Sequence, residues 1–126
     1  MANVETPRDI EIKIPTAFLV DQNQTTFHVY LVQIRVGSDW WSLRKRYSEF
    51  STFHKFVREK YPQIGVTNAD FPSKKALGNR GARVVQNRLC KLQNYLNLVV
   101  NRICMQYGYE IRDKATFTTL LPFFEC

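Results

Sequence analysis

The sequence predicts an α+β domain in which a three-stranded antiparallel β-meander packs against a helical subdomain of three to four helices. Three observations predict it. Residues 10–46 hold period-two and β-branched runs divided by turn signals, whereas residues 48–61 and 85–103 hold apolar stripes at helical spacing. Between the two helical stretches lies a long loop, residues 62–81, that contains Pro62, Gly65, Pro72, Gly78 and Gly81 and follows neither period. With 126 residues and 44% hydrophobic content, the chain supports one domain with one core, residues 1–126.

Residues 1–8 are polar and read as a flexible tail, without the apolar stretch of a signal peptide. Ile10, Ile12 and Ile14 alternate with Glu11 and Lys13, which predicts a strand with one buried face that Pro15 interrupts. Asp21-Gln22-Asn23-Gln24 reads as a turn. Thr25 to Val36 is rich in β-branched and aromatic residues, and Gly37-Ser38-Asp39 is the next turn. Residues 40–46 complete the meander. A first helix is expected from about Ser48, its N-cap, with Phe50, Phe53, Val57 and Tyr61 along one stripe and Pro62 as its stop. His54, Lys55, Arg58 and Glu59 are placed on the opposite, solvated face.

Val85, Leu89, Leu92, Leu96, Val99 and Ile103 alternate steps of four and three, the clearest helical pattern in the chain, and Gly108 ends that region. Phe117 to Phe124 reads as a last short apolar helix that closes the core. Cys90 and Cys104 fall on one helix, where fourteen residues at a ~1.5 Å rise separate them by roughly 21 Å, too far for a disulfide. With Cys126 the cysteines are odd in number, so a reducing compartment is expected. No run approaches the ~20 apolar residues of a membrane span, so any meeting with a membrane is expected to be peripheral.

The formal charge of +7 is unevenly spread. From Arg44 to Lys91 there are twelve cations and three anions, and the rest of the chain is slightly acidic. Arg44-Lys45-Arg46 stands between apolar flanks that must pack, which makes it an anion site held on a rigid scaffold rather than a basic tail. Strand alternation sends Lys45 to the face opposite Arg44 and Arg46, where it reads as a solvated strand-end cation. A field of this sign suits a polyanion or an anionic membrane surface and does not choose between them.

The order of elements, together with Arg44-Lys45-Arg46-Tyr47-Ser48-Glu49-Phe50, resembles the phox-homology (PX) domain, the phosphoinositide-binding module of sorting nexins. Three marks carry the resemblance over nearly the whole chain. Arg44, Lys45, Arg46, Tyr47 and Phe50 match the family's signature at the strand-to-helix junction. Lys74 after Pro72 matches a Lys that follows a Pro in the long loop. Arg88, seven residues before Tyr95, matches an Arg early in the next helix.

The resemblance implies a headgroup site for phosphatidylinositol 3-phosphate. In it Arg46 binds the 3-phosphate, Tyr47 lies against the inositol ring, Lys74 neutralises the 1-phosphate and Arg88 pairs with the 4- and 5-hydroxyls. The residue types suit these tasks, because a guanidinium is a planar fork for oxygen pairs and a Lys ammonium is a movable point charge. Leu77, with Lys75 and Arg80 beside it, is expected to touch the membrane, where one buried Leu side chain contributes on the order of 1 to 2 kcal/mol. His54, Lys55 and Arg58 form a possible second anionic-lipid patch.

The resemblance further implies a cytoplasmic chain, peripheral on early endosomal membranes, that acts with other domains of a longer parent protein. The alternatives are a PX scaffold used for protein contacts or one that binds other anionic lipids nonspecifically. No cofactor or metal is expected. Thr67-Asn68-Ala69-Asp70-Phe71-Pro72 lacks the first Pro of a Pro-x-x-Pro ligand, which argues against an SH3 partner. Nucleic acid is not expected, since no RNP-like or zinc-finger pattern is present and the aromatics occupy periodic apolar positions. Nor is catalysis, because neither His28 nor His54 pairs with a nucleophile or metal-ligand motif.

Overall fold

Three strands form one antiparallel sheet in sequence order: β1 (Ile10–Gln22), β2 (Thr25–Val36) and β3 (Asp39–Arg46). They belong to a computed structural model that describes residues 9–74, 82–107 and 111–126. The tail 1–8 and the stop at Gly108 lie outside the described residues.

Pro15 does not end the first strand. β1 runs through it for 13 residues, and the register with β2 shifts between Lys13 and Thr16. A proline has no N–H to give to the ladder, so it is accommodated on an edge strand by a bulge. The Ile14 N–H donates instead to Gln93 Oε1 at 2.8 Å, which fastens the edge to a helix. Gln22 pairs with Thr25, and the two residues between them, Asn23 and Gln24, have φ of 52° and 64°. Positive φ at both central positions defines a type I′ turn, whose twist matches that of the hairpin. At Gly37, also at positive φ, a Cβ would stand 2.8 Å from the Arg112 carbonyl oxygen, so a side chain there would collide as well as strain the turn.

Helix α1 (Tyr47–Lys60) follows β3 without a linking residue. The N-cap is therefore Arg46, the last residue of the strand, and not Ser48. Glu49 supplies the capping bond by accepting from the Arg46 N–H at 2.9 Å. Phe50, Phe53 and Val57 are buried, as the stripe predicts, and Tyr61 is buried just beyond the helix. His54 is not on a solvated face. It is buried at 7% exposure because the loop after α1 folds back over it.

That loop contains two 3₁₀ turns, Pro62–Ile64 and Asn68–Asp70, and buries Ile64 and Val66. Helix α2 (Ala82–Tyr107) presents Leu89, Leu92, Leu96, Val99 and Ile103 to the core, with Tyr95, Val100 and Cys104 beside them. Helix α3 (Lys114–Leu120) starts earlier than the apolar run suggested, because Asp113 caps it by accepting from the Thr116 N–H at 2.9 Å. Pro122 divides it from a 3₁₀ turn, Pro122–Phe124. Phe117 and Phe124 are fully buried, and Trp41 Nε1–H donates to the Phe124 carbonyl at 2.7 Å, which ties the C-terminal end to β3. No described helix is long and apolar enough to cross a membrane.

Candidate functional site

Alternation along β3 and its direct entry into α1 fix the three consecutive cations. Lys45 points inward, correcting its reading as a solvated strand-end cation. Its side chain is 16% exposed, its Nζ lies 3.7 Å from Glu49 and 4.8 Å from the Phe123 ring centre, and it is a structural residue. Arg44 and Arg46 are exposed on the other face and lie over the rings of Phe18 and Phe27, at 5.7 and 3.7 Å. Stacking on Phe27 orders the Arg46 stem while leaving the edge of the guanidinium to accept a ligand.

Tyr47 joins the helix start to the long loop. Its hydroxyl donates to the Pro72 carbonyl at 2.9 Å, and its ring lies 5.5 Å from that of Phe71. Burial pushes the hydroxyl's pKa up, so it remains a donor throughout the neutral range. Phe71 in turn stacks flat on His54 at 4.7 Å and meets Tyr95 edge-on at 4.9 Å. His54 Nδ1 is 2.7 Å from the Tyr95 hydroxyl, and Nε2 is 2.9 Å from Asn68 Oδ1. An amide oxygen only accepts, so Nε2 donates to it and Nδ1 accepts the hydrogen bond that the Tyr95 hydroxyl donates. The result is a pinned loop that delivers Lys74, two residues after Pro72, to the mouth of a cleft.

Arg88, near the start of α2, forms the far wall. It is 6% exposed, with Nη1 at 3.3 Å from His28 Nδ1. Tyr30 lies beside it: burial raises the Tyr30 pKa, and the Arg88 guanidinium draws it partly back. The space enclosed is about 490 Å³ and brings together all four sequence-predicted headgroup residues, Arg46, Tyr47, Lys74 and Arg88. The hairpin contributes Thr25, Thr26, Phe27, His28 and Tyr30. Sequence reasoning passed over these five, although His28 stands two residues before Tyr30 and so shares its strand face.

Charge separates this cleft from the other described cavities. A larger one, about 700 Å³, lies between the loop and α2 and carries Asp70 as well as Lys91; a smaller one, about 320 Å³, has Lys45 opposed by Glu49. The 490 Å³ cleft is lined by three cations and no acid. It can bind an anion of several oxygens, and the hydroxyl and imidazole groups on its wall suit a polyol.

The predicted second patch is dispersed. His54 is interior; Lys55 and Arg58 are exposed, with Arg58 Nη1 donating to Asn68 Oδ1 at 3.1 Å. Lys75, Leu77 and Arg80, the expected membrane contacts, lie outside the described residues. Among the described residues no group of three or more His, Cys, Asp or Glu is placed to hold a metal ion.

The PX domain family model matches residues 35–113, from the end of β2 through the loop and α2. The chain belongs to the PX domain family. PX domains are generally phosphoinositide-binding modules that recruit proteins to membranes, rather than enzymes. The fold agrees with the X-ray structure of a designed CISK-PX domain at a TM-score of 0.63 and 20% identity, covering 88% of this chain and 97% of that one. Two curated relatives are kinesin-like proteins rather than sorting nexins. The human kinesin-like protein KIF16B is 34% identical over 96 residues, 75% of this chain, and its mouse counterpart is 36% identical over 87 residues, 69% of this chain. This PX domain spans only 7% and 6% of their lengths.

Proposed function

We propose that this PX domain recruits a longer parent protein to early endosomal membranes by recognising phosphatidylinositol 3-phosphate. The observation that carries the proposal is the convergence of Arg46, Lys74 and Arg88 from three separate elements on one cleft with no acidic lining residue. In this reading Arg46 takes the 3-phosphate, because its guanidinium is exposed and pre-ordered on Phe27. Lys74 meets the 1-phosphate at the mouth, where a movable point charge tolerates variation in the lipid's angle of approach. Arg88, buried and held, faces the 4- and 5-hydroxyls, while Tyr47 forms the wall beside the ring. Leu77, with Lys75 and Arg80, would follow the headgroup into the interface.

A single headgroup contact gives modest affinity, so stable recruitment takes a second signal from another domain, an oligomer or neighbouring anionic lipid. Calorimetric titration with short-chain phosphatidylinositol 3-phosphate and its 4- and 5-phosphorylated analogues tests the assignment. Saturable one-to-one binding with preference for the 3-phosphate supports it, and equal heats for every analogue overturn its specificity.

A further inference from the structure

The hairpin wall of the cleft contains a histidine to which the functional reading gives no part. His28 and Tyr30 are two residues apart on β2, so both turn toward the helices. His28 lines the same cleft as Arg46, Lys74 and Arg88, and its Nδ1 is 3.3 Å from Arg88 Nη1. A guanidinium has only donors, so in this contact Nδ1 must be the bare acceptor and the ring proton sits on Nε2. Arg88 is 6% exposed, and arginine is seldom buried that far without a specific partner. Its fork lies between His28 and Tyr30, whose hydroxyl responds electrostatically to the guanidinium.

We infer that His28 is a positioning residue of the headgroup site, setting the plane of the Arg88 guanidinium by accepting one of its N–H bonds. The inference rests on the functional reading above. A fork that addresses two adjacent hydroxyls must be coplanar with both; if it tilts, it meets one and loses the other. A fork fixed at that angle also resists the displacement that an added 4- or 5-phosphate would demand. His28 thus bears on selectivity as well as affinity, acting through Arg88.

The test compares wild type, His28→Ala and His28→Asn, the last because its amide oxygen can occupy the place of Nδ1. Each is titrated with short-chain phosphatidylinositol 3-phosphate and with the 3,5-bisphosphate. Loss of the acceptor is expected to weaken 3-phosphate binding about tenfold and to narrow the preference over the bisphosphate. The Asn variant is expected to stay within about threefold of wild type on both counts. Should His28→Ala melt early, His28→Leu, which fills the volume without an acceptor, takes its place. Wild-type behaviour of the acceptor-less variant overturns the inference, as does an equally weak Asn variant that melts normally. If wild type binds neither lipid, the functional reading is what fails. The positioning claim is then decided by ¹⁵N spectroscopy of the ligand-free protein: a bare Nδ1 and Arg88 resonances that broaden in His28→Ala support it, and a protonated Nδ1 overturns it.

Discussion

Arg46 and Arg88 present positive charge in opposite settings, one exposed on an aromatic ring and one sunk beside a tyrosine and a histidine. A shared role in one site predicts that Arg46→Ala and Arg88→Ala each lower vesicle binding by tenfold or more, on the order expected for a lost charge-assisted contact. Arg112→Ala, which removes the same charge elsewhere, is expected to change it little. Equal losses in all three, with steep salt dependence, would indicate a diffuse electrostatic surface instead. The thiols give a second check at this scale. Cys104 is buried, and desolvation pushes its pKa up to about 11, whereas Cys90 and Cys126 are exposed and all three are free. A thiol reagent at neutral pH should therefore titrate two groups quickly and the third only on unfolding. Asp113 supplies a pH signature: the Thr116 N–H it caps holds its carboxyl below the usual range. A lowered folded-state pKa contributes stability above the unfolded value that is lost as pH falls through the folded one. The melting-temperature gap between wild type and Asp113→Ala should shrink on acidification; a gap that widens would contradict the assignment.

Elements were legible in the sequence where a local period decided them. The alternation of Ile10, Ile12 and Ile14, the apolar stripe of α1 and the long seam of α2 all report which side faces the core, and each does. That Arg46, Tyr47, Lys74 and Arg88 would share one cleft was legible because short motifs mark them in the sequence. What escaped was decided by distant parts of the chain. His54 looks solvated on a helical wheel, yet Asn68 and Phe71 from the folded-back loop cover it and satisfy both ring nitrogens with Tyr95. Pro15 looks like a stop, yet a bulge and the side chain of Gln93 carry the strand through it. The Tyr47–Pro72 strap belongs to this level. Tyr47→Phe should cost about 1 kcal/mol of stability and weaken lipid binding, because the loop that delivers Lys74 loses its tie to α1. A full-strength site in a normally melting Tyr47→Phe would show that the strap does not position Lys74. Leu96→Ala, at a fully buried point of the α2 seam, should cost about 2–5 kcal/mol in denaturant unfolding.

At the scale of the whole molecule, the sheet, the start of α1, the long loop and α2 converge so that each of the cleft's three cations comes from a different element, while several acids are engaged outside it. Glu49 caps α1 and faces Lys45; Asp70 accepts from Thr67; Asp113 caps α3. The cleft thus keeps three cations and no acid on its lining, within a chain of net charge +7. The proposed function assigns this domain one part of membrane attachment and leaves the rest to other parts of a longer parent protein. Liposome co-sedimentation tests the central claim most directly, with wild-type protein presented to vesicles that carry each phosphoinositide in turn, at physiological salt and matched total charge. Selective pelleting with phosphatidylinositol 3-phosphate is the predicted result; uniform pelleting across the series, or none, would contradict it.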